Sequence, residues 1–108
     1  MRVQITARRC DVTESVRDRT EAMVTKLTKF DRRVTAAEVV FEEERHARRV
    51  EGILSVDGDE AVVARGEGGD FTAAVDQMVD RLAKIVRRRR APVRDHQGRS
   101  LAEEFAAE

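Results

Sequence analysis

The residues with the clearest chemical pattern in this sequence are basic and lie near its C-terminus. Residues 81–99 contain eight arginines and lysines and a single acid, Asp95, so this segment carries a net charge of +7. The whole chain has a net charge of zero, and the remaining residues therefore carry −7. This separation of charge predicts a surface that binds a polyanion, because one or two cations would be enough to stabilise a helix end.

Three of the basic residues, Arg81, Lys84 and Arg88, have the spacing i, i+3, i+7 and would share one face of a helix. Cations on one face can contact the phosphates of a nucleic acid, which gives strong binding with little sequence selectivity. The alternative for Lys84 is an ion pair with Asp80, which would contribute only about 0.3–0.5 kcal/mol. The other arginines are expected to add a less specific positive field; they are Arg87, Arg89, Arg90 and Arg94.

The residues that could catalyse a reaction or bind a metal ion do not have the spacing of an active site or a metal site. The histidines, His46 and His96, are predicted to lie in a hairpin and in the tail, and the single cysteine, Cys10, is far from both. Three consecutive acids, residues 42–44, cannot all point to one side of a strand, and the glycines of residues 66–69 lack the lysine of a phosphate-binding loop. We therefore expect no enzymatic activity, cofactor, metal ion or small-molecule substrate.

Length and composition predict one domain in the cytoplasm. A chain of 108 residues can bury a modest core without disulfides. No apolar segment approaches the roughly 20 residues needed to cross a bilayer, and the N-terminus lacks the apolar region of a signal peptide, so no membrane partner is expected. One cysteine agrees with a reducing compartment.

The first two thirds of the sequence predict a strand, a helix and three further strands. Residues 2–8 alternate between apolar and polar, and Thr13 can cap a helix over about residues 14–30. From residue 36 to residue 66 the period is two, with inward positions at Val39, Phe41, Val50, Leu54, Val56, Val62 and Ala64. A tight hairpin is expected at Asp57-Gly58, whereas the connection near residues 43–46 lacks glycine and is expected to be longer.

The basic residues belong to a second predicted helix. The glycines of residues 66–69 are expected to end the last strand, and Asp70 can cap the helix. An apolar stripe follows at helical spacing, made of Phe71, Ala74, Val75, Met78, Val79, Leu82, Ile85 and Val86. Pro92 predicts a helix end near Arg90, which gives a domain over residues 1–91 and a polar, mobile tail over residues 92–108. The expected class is α+β, in the order βαβββα, with a four-stranded sheet and two helices on one face.

The segment EGGDFTAAVD, residues 67–76, followed by Arg81-Leu82 and the basic helix end, resembles the ribosome hibernation promoting factor family, which also includes ribosome-associated inhibitor A. QITAR at residues 4–8, Val12-Thr13 and KLTKF at residues 26–30 resemble the family's first strand and helix, so the similarity covers about residues 2–90. Thr72 departs from the pattern, because the family commonly has tyrosine there. The chain resembles a short form of the family or a truncated long form.

The resemblance implies a domain that lodges between the head and body of the small ribosomal subunit, overlaps the sites of messenger and transfer RNA, and silences idle ribosomes. The family's basic helix positions match Arg81, Lys84 and Arg88, the residues that the charge pattern also selects. Further matches are Lys26 and Lys29 on the first helix and Arg8 at the end of the first strand. The alternative for each of these three residues is that its side chain is exposed to solvent and contacts no RNA.

The aromatic content predicts how RNA would be bound. The chain has four phenylalanines and no tryptophan or tyrosine. Phe30, Phe41 and Phe71 fall on predicted core positions, so base stacking is not expected, and the protein should recognise the shape and backbone of RNA.

The alternative function is a protein-interaction or oligomerisation module. It would use the exposed face of the sheet or the tail residues Leu101 and Phe105, and whether the chain forms a homo-oligomer is left open. Protein contacts would depend less on salt than phosphate contacts.

Overall fold

The structure is a four-stranded sheet with two helices on one face. The computed structural model describes residues 1–95, with the side chains of residues 1–89. The elements are β1 (Arg2–Arg8), α1 (Glu14–Thr25), a 3₁₀ turn (Lys26–Lys29), β2 (Val34–Glu44), β3 (Ala47–Val56), β4 (Val62–Gly68) and α2 (Phe71–Asp95). β1 is parallel to β2, the other pairs are antiparallel, and the sheet order is β1-β2-β3-β4. The α+β class and the βαβββα order are confirmed.

The core lies between the helices and the inner face of the sheet. All seven strand positions predicted to face inward on β2, β3 and β4 are buried. α2 adds a buried stripe consisting of Phe71, Ala74, Val75, Met78, Leu82 and Val86. The rings of Phe41 and Phe71 meet edge to face with centroids 5.2 Å apart, a contact that adds about 0.5–1.5 kcal/mol to the burial itself. The apolar pattern of α2 therefore sets which side of this helix faces the sheet.

α1 begins at the predicted cap but ends earlier than predicted. The Oγ1 atom of Thr13 accepts a hydrogen bond from the backbone N–H of Val16 at 3.2 Å. The α-helix ends at Thr25, and the 3₁₀ turn replaces the predicted last turn. Each residue of a 3₁₀ helix advances about 20° further than in an α-helix, which changes the direction of the side chains that follow. Phe30 is consequently 37% exposed, so its predicted core position is wrong.

The connection between β2 and β3 is shorter than predicted. It contains only Arg45 and His46, and Arg45 adopts φ +55° without being a glycine. The register between the strands explains this turn, since a shift by one residue would move Phe41 and Val50 out of the core. After β3, Gly58 adopts the positive φ that was predicted, at +77°, but the connection is longer than a tight hairpin because β3 ends at Val56 and β4 begins at Val62.

α2 begins where predicted but continues beyond the predicted end near Arg90. The Oδ1 atom of Asp70 accepts a hydrogen bond from the backbone N–H of Ala73 at 2.8 Å. The backbone stays helical through Pro92 to Asp95. A proline inside a helix costs about 3 kcal/mol but removes a single donor, so it can be accommodated. Residues 92–95, predicted as the start of a mobile tail, therefore belong to α2, and the rest of the predicted tail, from residue 96 onward, lies outside the described residues.

Gly66 and Gly68 lie within β4, whereas the sequence predicted that the strand ends at these glycines. A Cβ atom on Gly66 would overlap the carbonyl oxygen of Ala74 and lie 2.8 Å from the backbone nitrogen of Met78. Glycine is therefore needed at this position because the backbone of α2 approaches the strand directly. The close approach brings the whole helix onto β3 and β4.

Replacing Gly66 with alanine should force α2 away from β4. We expect Gly66→Ala to lower the free energy of unfolding by about 1–3 kcal/mol, the usual effect of overpacking. Urea unfolding followed by circular dichroism at 222 nm measures this loss. Gly69→Ala is the matched control, because a Cβ at Gly69 meets no atom within 4 Å and the free energy should change by less than about 0.5 kcal/mol. Equal stability of the two variants would contradict a close approach of helix and strand at Gly66.

Candidate nucleic-acid interface

The three basic residues selected from the sequence lie on α2 and are exposed. Arg81, Lys84 and Arg88 stand on one side of the helix, whereas Met78 and Leu82 are fully buried against the sheet. The structure thus brings the three cations together on the outer surface of α2, as their spacing predicts. The core packing fixes the rotation of the helix and thereby places these three residues on its exposed side.

Arg81 is positioned by the exposed edge of β4. Its Nη1 atom donates a hydrogen bond to the carbonyl oxygen of Arg65 at 2.9 Å, and the Oε1 atom of Gln77 accepts one from the backbone N–H of Glu67 at 2.9 Å. These side chains of α2 occupy edge groups that could otherwise pair with another strand. No carboxylate in the described part of the chain lies within 4.0 Å of the Arg81 guanidinium, so its charge remains available to an anion.

Lys84 forms the ion pair predicted as its alternative role. Its Nζ atom lies 3.5 Å from Oδ2 of Asp80, and both side chains are largely exposed. A pair of this kind on a helix surface contributes only about 0.3–0.5 kcal/mol. A phosphate group could therefore replace Asp80 as the partner of Lys84 at little cost.

Arg89 differs from its basic neighbours because it faces the body of the protein. It follows Leu82 and Val86 on the apolar side of α2, beyond the end of the sheet. Its guanidinium donates hydrogen bonds to the carbonyl oxygens of Glu60 at 2.6 Å and Ala61 at 3.3 Å. The side chain is only 28% exposed. This geometry favours a role in anchoring the connection between β3 and β4.

A network of ion pairs connects Arg89 to Arg33 and Asp31. Arg89 lies 3.7 Å from Asp59, and Asp59 lies 3.7 Å from Arg33. Arg33 donates to both carboxylate oxygens of Asp31, at 3.1 and 2.9 Å, and Asp31 is only 4% exposed. The hydrogen bond with Asp31 is the main reason that the pKa of Arg33 is raised. The network ties the segment after the 3₁₀ turn and the β3–β4 connection to the basic end of α2.

Arg87 lies against the exposed ring of Phe30. The Cζ atom of Arg87 is 5.1 Å from the ring centroid, and Nε donates to the carbonyl oxygen of Ala83 at 3.4 Å. The sequence did not reveal this pair, because the two residues are far apart and Phe30 was expected in the core. Both residues lie in basic segments of the sequence, but this composition does not identify a contact between them.

The secondary basic candidates fall on two surfaces. Lys26 and Lys29 are exposed on the 3₁₀ turn, which packs beside α2. Arg8 lies on the open face of the sheet, where it and Arg81 line opposite sides of one broad concave surface. Arg90 lies within α2, and its side chain is outside the described residues.

On the open face of the sheet, basic side chains lie next to acidic ones. The strand register places Arg8, Glu42, Arg49 and Glu67 in one row, with alternating sign. Arg49 lies 3.2 Å from Glu67 and 2.7 Å from Glu44. The hydrogen bond with Glu67 contributes most to the raised pKa of Arg49. These ion pairs compensate the positive charge of Arg49 on this face.

Residues that could support catalysis are placed apart from one another. The thiol of Cys10 donates to the carbonyl oxygen of Phe41 at 3.6 Å, and burial raises the pKa of this thiol, which disfavours the nucleophilic thiolate. His46 lies in the turn between β2 and β3. Among the side chains of residues 1–89 no group of three or more histidine, cysteine, aspartate or glutamate residues is arranged to hold a metal ion. No helix within residues 1–95 is long and apolar enough to cross a membrane.

Known proteins share both the sequence pattern and the fold. The family model described as Sigma 54 modulation protein / S30EA ribosomal protein matches residues 3–94. The chain is 31% identical over 104 residues to the ribosome hibernation promoting factor of Azotobacter vinelandii, covering 95% of this chain and 96% of that protein. It is 29% identical over 96 residues to the factor of the same name from Escherichia coli strain K12, covering 89% and 100% of the two chains.

Two solved structures superpose on most of the described residues. The Thermus thermophilus Protein Y N-terminal domain has a TM-score of 0.75 at 28% identity, covering 83% of this chain and 100% of that domain. A ribosomal subunit interface protein from Coxiella burnetii has a TM-score of 0.78 at 19% identity, covering 84% and 99%, and shares the fold. The family match extends over most of the sequence, and the Azotobacter relative is similar over almost its whole length. The chain therefore belongs to the ribosome hibernation promoting factor family.

Proposed function

We propose that this protein is a cytoplasmic hibernation factor that binds the RNA of the small ribosomal subunit in the path of messenger and transfer RNA. The observation that carries the proposal is the exposed basic face of α2, formed by Arg81, Lys84 and Arg88. The relatives named ribosome hibernation promoting factor support the choice of partner. The protein acts by occupying the path, so no bond is made or broken and no cofactor is needed.

The charge distribution would orient the protein on RNA. The basic face is concentrated on α2, whereas Arg49 and Arg65 on the open sheet face are paired with acids. RNA phosphates therefore attract the helix side and gain little from the sheet side. Each phosphate neutralised by a cation releases counterions, which favours binding at low ionic strength.

Reversing two charges on the basic face should release the protein from small subunits. We expect Arg81→Glu combined with Lys84→Glu to weaken binding by about 100-fold or more, because attraction to phosphate becomes repulsion at two positions. Co-sedimentation with purified small subunits measures the affinity. Arg2→Glu combined with Arg45→Glu is the matched control, since both side chains are exposed, lie away from α2 and change the net charge equally. Unchanged co-sedimentation of the α2 variant would exclude this face.

The salt dependence of binding separates phosphate contacts from the alternative module, in which the open sheet face binds a protein. Val63 on that face is 47% exposed and could contact a partner protein. Three phosphate contacts predict that affinity for small subunits falls by about 40-fold between roughly 50 and 200 mM monovalent salt. Titration of labelled protein at several salt concentrations gives the slope. A nearly flat slope would favour contacts between proteins.

Arg89 should contribute to stability and add little to RNA affinity. We expect Arg89→Ala to lower the free energy of unfolding by about 1–2 kcal/mol, because three oxygen partners in the β3–β4 connection would be left without a charged donor. Its effect on the salt slope of subunit binding should be small. Urea unfolding measures the loss of stability, and the salt titration measures the slope of subunit binding. A stable variant with a shallower slope would assign Arg89 to the RNA surface.

A further inference from the structure

Phe30 and Arg87 together form an exposed aromatic and cationic surface next to the basic face of α2. Phe30 is 37% exposed, whereas Phe41 and Phe71 are buried in the core. The guanidinium of Arg87 lies over this ring, with Cζ 5.1 Å from the centroid. The pair joins the end of the 3₁₀ turn to the fifth turn of α2.

The surroundings of Arg87 distinguish it from the arginines that form ion pairs. Among the described side chains, six other arginines lie within 4.0 Å of a described carboxylate; they are Arg19, Arg33, Arg48, Arg49, Arg65 and Arg89. Arg87 has no such partner among the side chains of residues 1–89, and its polar contact is with the carbonyl oxygen of Ala83. The guanidinium is thus held by a ring and a carbonyl group while its charge is not neutralised by an acid.

We infer that the Phe30–Arg87 pair is a stacking platform for an unpaired nucleobase of RNA. The identity of the ligand rests on the proposed function. Arginine planes and aromatic rings are the surfaces on which proteins stack splayed bases, and a base on a guanidinium also gains a cation–π contribution. One stacked base changes affinity by about 5- to 150-fold. The base would lie against both the exposed part of the ring and the guanidinium beside it.

Basic residues beside the platform fit a nucleotide as the ligand. Lys29 directly precedes Phe30, Lys26 lies one turn earlier, and both side chains are exposed. A base on Arg87 would place its sugar-phosphate backbone within a positive region formed by these lysines and by Lys84 on α2. The platform would add a contact with single-stranded RNA to the phosphate contacts of Arg81, Lys84 and Arg88. It replaces the expectation, based on aromatic content, that the protein has no stacking surface.

The experiment compares an oligoadenylate of about ten nucleotides with an abasic oligomer of the same length and charge. At low salt the wild-type chain should bind the oligoadenylate at least about 5-fold more tightly. Phe30→Leu, which removes the ring, and Arg87→Lys, which keeps the charge but removes the plane, should both abolish this preference without changing the salt slope. Arg81→Lys is the control and should keep the preference. Equal wild-type affinity for the two oligomers, or a preference that survives in both platform variants, would overturn the inference.

A spectroscopic readout excludes a purely structural role for the pair. The chain contains no tryptophan or tyrosine, so Phe30→Trp introduces a single strong fluorophore. Its emission should be quenched by the oligoadenylate and not by the abasic oligomer, whereas Val63→Trp on the open sheet face should respond to neither. Base-independent emission of the Phe30→Trp variant would overturn the inference.

Co-sedimentation separates this inference from the proposed function. If the wild-type chain binds small subunits but shows no preference for bases, the stacking platform is wrong and the proposed function stands. If it prefers the oligoadenylate but does not bind small subunits, the proposed function is wrong and the platform stands as a site for single-stranded RNA. If neither activity is present, both are overturned.

Discussion

The close packing of α2 on β3 and β4 is the constraint on which the rest of the structure depends. At Gly66 the helix backbone touches the strand so closely that even a Cβ atom would not fit. The buried stripe that includes Met78 and Leu82 fixes the rotation of the helix about its axis. Because the rotation is fixed by apolar contacts, the basic residues of α2 occupy the surface that remains. The packing thus decides which side of α2 faces solvent, and the sequence places basic residues on that side.

The distribution of ion pairs divides the surface into two electrostatic environments. On the open face of the sheet, arginines such as Arg49 and Arg65 alternate with glutamates and form cross-strand ion pairs. At the end of the domain, Asp31, Arg33, Asp59 and Arg89 form a network that holds the β3–β4 connection against α2. On the outer surface of α2, by contrast, Arg81 and Arg87 have no carboxylate partner among the described residues. The positive charge of Arg81 and Arg87 is the basis for placing the proposed RNA contact on α2.

Much of the fold could be predicted from the sequence because its periodic signals are strong. The period of two on β2–β4, the caps at Thr13 and Asp70, and the four-turn stripe of α2 all matched the structure. The predictions failed where tertiary context overrides local signals. The register of the strands imposed a two-residue turn at Arg45, the 3₁₀ turn moved Phe30 to the surface, and the helix continued through Pro92.

The candidate site was predictable only in part, for a similar reason. Spacing alone placed Arg81, Lys84 and Arg88 on one face, since helical geometry determines it. Spacing could not reveal that Arg89 is turned toward the β3–β4 connection or that Arg87 lies on Phe30, because both contacts join residues far apart in the sequence. The most direct test of the proposed function is cryogenic electron microscopy of small subunits incubated with this protein. We predict the domain in the path of messenger and transfer RNA, with Arg81 and Lys84 against RNA phosphates. A domain bound elsewhere, or one that faces the RNA with its open sheet, would contradict the proposal.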